Sequence, residues 1–436
     1  APHPPEPPHP RRGVAPEGGC PGAPPPAAAP GPPAVPGSDA FRRILASDMR
    51  TIRPVHYLDH AATTPMRPAA VAAYAEAASA VGNASSLHGS GRRARRRVEE
   101  SRESLAHHLG CRPSEVVFTS GGTEADNLAV LGLSAAAAGD VVAVGATEHH
   151  SVLDAAAHLT TDRGGRKDVR VLPVDARGAV RTDSVRDLVA QVGPRLALVA
   201  TMLGNNEIGT VNDVAALAAP AREVGAAVHT DAVQAVGHVP VDFESLGVTS
   251  LSLSAHKFGG PLGVGALLID RGADCRPIGF GGGQERDLRS GSVDVPGVVA
   301  MATALEEAVR EMESEARRLT ALREKLVDGV RRVVPGVIAN GGGERLPGIA
   351  NLTFPGCSGE SLILLLDAAG IECSTGSACT AGVAEPSHVL LAAGADEAAA
   401  RSSLRISLGY TSTEEDVEAA TAALGPAAER ARVAGL

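Results

Sequence analysis

Val116-Val117-Phe118-Thr119-Ser120-Gly121-Gly122-Thr123-Glu124 joins a short apolar run to a turn of hydroxyls and glycines and then to the start of a helical pattern. Three successive β-branched or aromatic residues suit a strand covered on both faces, and the run is too short for a buried helix. Short apolar runs of the same kind recur at Asp140–Val144, Val169–Val174, Leu196–Thr201, Ala226–His229, Ser250–Leu253 and Val264–Ile269, bounded by polar or glycine-rich turns. Ala69–Ala80 and Arg92–Leu109 read as helices. Seven such strands separated by helices predict an α/β fold with a mostly parallel sheet. Pro296–Val333 reads as one long helix or two, and the pattern becomes mixed after Pro335, with strands near Ile349–Phe354 and Leu404–Ser407. That change predicts a smaller α+β C-terminal domain. The expected division is a tail over 1–53, a large domain over 54–310 and a small domain over 311–436.

The tail stands apart in composition. Residues 1–36 hold fifteen prolines, and no Leu, Ile, Met, Phe or Tyr occurs before Phe41. Such a segment cannot bury a core and is expected to be disordered, with polyproline II character. It lacks the apolar stretch of a signal peptide. Because the globular pattern begins just after Met49, the sequence invites the reading that translation starts there and that residues 1–48 are an upstream extension.

The 436-residue chain as a whole has the composition of a soluble enzyme, with 44% hydrophobic residues, 21% charged, 2% aromatic and no Trp. A net charge of −10 argues against a nucleic-acid surface, so no direct DNA binding is expected. None of the six cysteines forms a C-x-x-C pair, and six in so long a chain make no disulfide scaffold. A reducing, cytoplasmic location is expected, and no apolar stretch is long enough to span a membrane. The basic run Arg92–Arg97 is followed by Glu99, Glu100 and Glu103 at helical spacing, as on a self-paired, solvated helix face.

In an open parallel sheet, ligands bind beyond the carboxyl ends of the strands, so the polar residues that follow the strands are the candidates. Thr119–Glu124 opens a helix, where free N–H groups and hydroxyls suit a phosphate; taken alone, the segment reads more readily as a plain capped turn. Asp231, at a strand end, suits a protonated ring nitrogen or a helix N-cap. Lys257 follows the apolar run from Ser250. At a sheet mouth it would lose hydration and free its amine for carbonyl chemistry; alone it also reads as a surface lysine. An acid and a lysine 26 residues apart, one crossover from each other, are what pyridoxal phosphate enzymes require. Cys379 lies in Ser374-Thr375-Gly376-Ser377-Ala378-Cys379-Thr380-Ala381-Gly382, a small-residue loop with nothing bulky to wall off the thiol.

Several segments resemble the cysteine desulfurases, class V aminotransferase relatives within the fold-type I pyridoxal phosphate enzymes. They are Tyr57–Pro65, Phe118–Asn127, Thr147-Glu148-His149, Asn205–Gly209, His229–Gln234, Ser254–Lys257, Gly281–Arg286, Arg289–Ser292 and the Cys379 loop. They run in the family's order over about residues 55–425. The form Thr375-Gly376-Ser377-Ala378-Cys379-Thr380 resembles the longer-loop class, which serves iron–sulfur assembly and tRNA thiolation.

The resemblance implies a role for each matching residue. Lys257 would bind pyridoxal 5'-phosphate covalently and Asp231 would keep its pyridinium protonated. His149 would stack on the ring, with His150 structural. Asn206 and Gln234 would reach the phenolic oxygen. Gly122, Thr123, Ser254 and His256 would cradle the phosphate, making the large domain the cofactor-binding one. Ser292 would reach the phosphate in a partner subunit, which implies a homodimer. Arg405 would clamp the carboxylate of L-cysteine, and Cys379 would take its sulfur as a persulfide, leaving L-alanine. Sulfur would pass to an iron–sulfur scaffold or a tRNA thiolase. No resident metal is implied, though Cys379 could serve as a transient cluster or sulfur ligand. Cys373 reads as buried and inert.

Three positions depart from the family's pattern: Ala84, Gly259 and Leu262 stand where proline, an aromatic or histidine, and lysine are common. Ser292 replaces threonine but keeps the hydroxyl. Alternative readings are selenocysteine lyase or another class V activity, a cysteine hydrolase using Cys379 with a histidine such as His388, and a silent sulfur-relay scaffold. The hydrolase leaves Asp231 and Lys257 idle.

Overall fold

Val141–Gly145 and Leu196–Ala200 are apolar throughout and buried at every position, which a strand allows when both sheet faces are covered. The computed structural model describes residues 55–161, 163, 165–376 and 385–434, with side chains to residue 432. The strands are β1 (His56–Tyr57), β2 (Val116–Thr119), β3 (Val141–Gly145), β4 (Asp168–Leu172), β5 (Leu196–Ala200), β6 (Ala227–Asp231), β7 (Ser250–Ser254), β8 (Gly265–Ile269), β9 (Ile338–Asn340), β10 (Ile349–Thr353), β11 (Ile371–Glu372) and β12 (Ser403–Ser407). The helices are α1 (Pro68–Ala78), α2 (Gly89–Leu109), α3 (Gly122–Ala136), α4 (His150–Leu159), α5 (Thr182–Val192), α6 (Val214–Glu223), α7 (Phe243–Leu246), α8 (Val295–Val333), α9 (Gly359–Asp367), α10 (His388–Ala392), α11 (Glu397–Arg401) and α12 (Glu414–Ala434).

Seven strands form one sheet in the order β2-β8-β7-β6-β5-β3-β4. The run from β7 to β4 is parallel, and β8 is antiparallel to both β7 and β2. The register aligns Thr119 and Ser254 with Gly265. The carboxyl ends of β2, β3, β5, β6 and β7 therefore share one edge. Apolar clusters cover both faces, one holding Val116, Phe118 and Val199, the other Val117, Leu198 and Leu267.

A second sheet, β12-β10-β9, is antiparallel, and β1 pairs in parallel with β11. The region that sequence patterning leaves open as one helix or two is a single helix, α8, of 39 residues, capped by Asp294, whose carboxylate accepts from Gly297 N–H at 3.1 Å. Val295–Ala308 pack in the core of the large sheet, whereas Leu319–Val330 pack with Leu352, Phe354 and Leu404 on the small one. Among the described residues no helix is long and apolar enough to cross a membrane. The basic face of α2 pairs partly with its own glutamates, as Arg96 does with Glu100 at 3.3 Å, and partly with α1, where Arg97 meets Glu76 at 2.9 Å. Residues 1–48, with Met49, lie outside the described residues.

Candidate active site

A cleft of about 320 Å³ opens at the shared strand edge. Lys257 ends the short turn that follows β7, and its Nζ donates to the carbonyls of Ala61 at 2.6 Å and Ala62 at 2.9 Å. Burial, then repulsion from Arg405, lowers its amine to about 8, against the pull of Asp231 and Asp59. A larger neutral fraction makes it a better nucleophile toward a carbonyl at neutral pH.

Asp231 is the last residue of β6 and is buried. Burial, then repulsion from Asp126, pushes its carboxyl well above the usual carboxylate range, opposed by Val233 N–H and Lys257. Among the described residues that N–H, at 2.8 Å, is its only hydrogen-bond partner. A buried acid so poorly matched gains strongly from a cationic N–H donor in the cleft.

Glycine at 121 and 122 follows from geometry. Gly121 caps α3 at φ 148°, a conformation rare for residues with a side chain, and a Cβ on Gly122 would lie 2.6 Å from Val233 Cγ2. The cap makes no side-chain hydrogen bond to the helix, so the first N–H groups, including those of Gly122 and Thr123, remain available to an anion. Ser254, at the end of β7, and His256 line the same cleft. The His256 ring contacts Thr63 Oγ1 at 3.1 Å, and burial lowers it to about 4, which keeps it neutral at physiological pH.

His149 precedes α4 and caps it, its Nδ1 accepting from Ser151 N–H at 3.1 Å. The residue is exposed and lines the cleft. Its packed edge is desolvated, which lowers its basicity, and Lys257, His150 and His388 push the same way while Asp126 opposes them. Gln234 donates one amide hydrogen to Ala61 O at 2.7 Å, and Asn206 lines the cleft beside it.

Arg405 comes from β12 of the small sheet. It donates through Nη1 to Asn206 O at 3.0 Å and through Nη2 to Asp59 Oδ1 at 2.7 Å. Among the described residues its Nε is buried with no partner. A carboxylate ligand would satisfy it.

The structure thus brings Gly122, Thr123, His149, Asn206, Asp231, Gln234, Ser254, His256, Lys257 and Arg405 to one cleft. Ser292 does not line it and is exposed in the connection from β8 to α8. Cys379 lies outside the described residues. Its described flanks reach the cleft: Ser374 exchanges backbone hydrogen bonds with Arg405 at 3.1 and 2.6 Å, and Ser387 Oγ donates to Glu207 at 2.5 Å. Cys373 is half-buried rather than buried; burial and the nearby Asp59 push its thiol up to about 12, with Arg405 opposing. At Gly259, φ is 91° and a Cβ would fall 2.6 Å from Arg67 Cγ, so a side chain there requires Arg67 to move. Sequence reasoning misses Asp126, Ser151 and Glu207, all buried cleft residues. For Asp126 a signal exists: it is an acid four positions after Gly122, on the buried side of a helix with Ala125 and Leu128.

The class V aminotransferase model matches residues 56–420. An IscS-like cysteine desulfurase of Mycobacterium tuberculosis is 52% identical over 387 residues, covering 87% of this chain and 98% of that protein. Among solved structures, a NifS-like protein superposes with a TM-score of 0.78 at 34% identity, over 86% of this chain and 99% of its own. SspA in complex with cysteine superposes with a TM-score of 0.71 at 31% identity, over 82% of this chain and 100% of its own. The chain belongs to the class V aminotransferases, a family of pyridoxal phosphate enzymes.

Proposed function

We propose that the chain is a cysteine desulfurase, converting L-cysteine to L-alanine with the sulfur captured on Cys379. The observation that carries this reading is the pairing, in one cleft, of an amine lowered to about 8 with the buried, under-partnered Asp231. The donor set fits pyridoxal phosphate: uncapped N–H groups at α3 for the phosphate, the exposed His149 face for the ring, and Asp231 for the ring nitrogen. When bound, pyridoxal phosphate supplies an electron sink that allows bonds at the substrate's α- and β-carbons to break.

The chain's own residues do the rest. Gly122, Thr123, Ser254 and His256 receive the phosphate, and Asp231 holds the ring nitrogen's proton. Asn206 and Gln234 address the phenolic oxygen. The open Nε of Arg405 takes the substrate carboxylate. Lys257 Nζ, held by the Ala61 and Ala62 carbonyls, carries the cofactor and then serves as the base for the substrate's α-proton. The Cys379 thiolate attacks the substrate sulfur; the substrate C–S bond breaks and an S–S bond forms. L-cysteine and the Cys379 thiol give L-alanine and the Cys379 persulfide, with no outside oxidant. The sulfur then passes to an iron–sulfur scaffold or a tRNA-thiolating enzyme in the cytoplasm. The boundary between cofactor-holding and loop-carrying modules falls within α8, near residue 310. Exposed Ser292 supports a homodimer in which each copy completes the other's phosphate site.

The test is spectral and chemical. Protein incubated with pyridoxal phosphate should turn yellow, and Lys257→Ala should not. Cys379→Ser should keep the colour and lose sulfide release from cysteine. A wild-type protein that stays colourless after reconstitution sinks the reading, and release of selenide but not sulfide redirects it to selenocysteine lyase.

A further inference from the structure

Residues 59–62 touch both Arg405 and Lys257, the two cations of the cleft. At one end, Asp59 Oδ1 accepts from Arg405 Nη2 at 2.7 Å, with the arginine side chain 6% exposed and the aspartate 23%. At the other, the carbonyls of Ala61 and Ala62 take Lys257 Nζ at 2.6 and 2.9 Å. The segment is itself fastened to β12. Asp59 bridges to Ser407, Ser407 N–H donates to Leu58 O at 2.8 Å, and Ala61 N–H donates to Ser407 Oγ at 2.9 Å. Ala62 N–H then turns back onto Asp59 O at 2.9 Å.

Donor counting shows what the aspartate does for Arg405. A guanidinium carries five N–H donors. Nη1 spends one on Asn206 O at 3.0 Å and Nη2 one on Asp59, while Nε has no partner among the described residues. Two anchors on the terminal nitrogens fix the plane of the fork and leave Nε–H unspent for a carboxylate. Lys257 depends on the same anion. Arg405 repels its charged form, whereas Asp231 and Asp59 favour it. His149, His238 and His256 also face Lys257. Burial lowers all three rings below their ordinary value, so none exchanges its proton where the amine does, at about 8.

We propose that Asp59 is a positioning residue for both cations: its carboxylate fixes the plane of the guanidinium that receives the substrate carboxylate, and its charge offsets that guanidinium at Lys257. The desulfurase reading supplies the substrate in this statement, while the shared counter-charge is a property of the chain alone. One anion thereby lets Arg405 stand beside Lys257 without its full repulsion reaching the amine.

Two variants separate charge from placement. Asp59→Asn keeps the shape and an acceptor but removes the charge, and Asp59→Ala removes all three. In cofactor-free protein mixed with pyridoxal phosphate, the pH midpoint of uptake, read by stopped-flow absorbance, should fall by about half a unit in both variants. The cofactor's own titrations are common to every protein compared and cancel. In reconstituted protein, absorbance titration with L-cysteine should show about tenfold weaker binding to Asp59→Ala, the scale of one charge-assisted hydrogen bond, and binding within about threefold of wild type to Asp59→Asn. Cysteamine, which is cysteine without its carboxylate, should bind all three proteins alike. An aspartate that only braces the fold would weaken both ligands together and leave the midpoint in place. An unmoved midpoint in Asp59→Asn, or an equal loss for cysteine and cysteamine in Asp59→Ala, therefore overturns the proposal. Should Asp59→Ala fail to fold, the Asp59→Asn midpoint decides alone. Midpoints and affinities as expected, in a wild type that releases no sulfide, refute the desulfurase reading and leave the role of Asp59 standing.

Discussion

Two clefts among the described residues lie at opposite edges of one sheet, and the larger of the pair is not the chemical one. The second, of about 580 Å³, is lined by Gly110, Cys111, Arg112, Arg222, Phe243 and Asp270, among others. Thr249 just before β7 and Asp270 just after the antiparallel β8 place it at the amino ends of the parallel strands. Its Arg112, Arg222, Glu244, Asp270 and Arg271 are all exposed, free to satisfy themselves in water. The 320 Å³ cleft at the carboxyl ends instead holds Asp126, Glu207, Asp231, Gln234, Ser254 and Arg405 in buried positions. Buried polar groups cost free energy unless something repays them, so their concentration, not cavity volume, marks the site.

The largest effect should come from Lys257→Ala, which removes the desolvated amine. Cysteine turnover should fall by about 10³-fold or more, the range of a lost acid–base group and above, measured as alanine formed by reconstituted protein. Retention of turnover within tenfold breaks the distinction between the clefts at its strongest point. Asp231→Asn keeps the shape and removes the charge. Turnover should drop about 10²-fold, as when one preorganised electrostatic partner is lost, with the visible band shifted because the ring nitrogen loses its counter-charge.

The difference between the clefts was only half legible beforehand. Alternation of apolar runs with helices was enough for the mostly parallel seven-stranded sheet, because strands covered on both faces leave runs that are hydrophobic throughout. Lys257 and Asp231 were legible because each directly ends or follows a strand. The antiparallel β8 was not, since an apolar run looks the same in either direction. Arg405 was found by its motif alone; nothing in a strand from the second sheet says that it reaches the first. Asp126 and Ser151 stayed hidden because neither ends a strand, and the 2.6 Å hydrogen bond that joins them is made only in the fold.

Arg405→Lys sharpens the contrast from the small-sheet side. Lysine cannot offer Nη1, Nη2 and Nε to Asn206, Asp59 and a ligand at once, so KM for cysteine should rise about 10- to 100-fold, matching one charge-assisted hydrogen bond or two, with kcat less affected. A smaller effect follows from the amine of Lys257 at about 8. Only the neutral amine adds to a carbonyl, so cofactor uptake by cofactor-free protein should accelerate as pH rises through about 8 and level off above it. Between pH 7 and 9 the gain should be about tenfold. Stopped-flow absorbance reads this directly, and a rise of about 100-fold over that range with no plateau, as for an ordinary lysine, means the amine is not desolvated.

The smallest expected effect is the most exacting test of the comparison. Arg222→Ala alters the larger cleft, where its guanidinium is exposed and packs near Gly247, whose Cβ position would lie 2.7 Å from Arg222 Nη1. Gly247 adopts φ 65° at the end of α7, a backbone shape that does not depend on the arginine. An exposed charge with solvent as its alternative partner contributes little, so stability should change by no more than about 0.5 kcal/mol. Cysteine turnover should stay within about twofold of wild type, because mutations far apart with no shared partners act independently. Denaturant melts and alanine assays run side by side decide it. A loss of turnover without a loss of stability means that the larger cleft communicates with the smaller through the sheet between them. Burial of polar groups would then be the wrong criterion for separating the two.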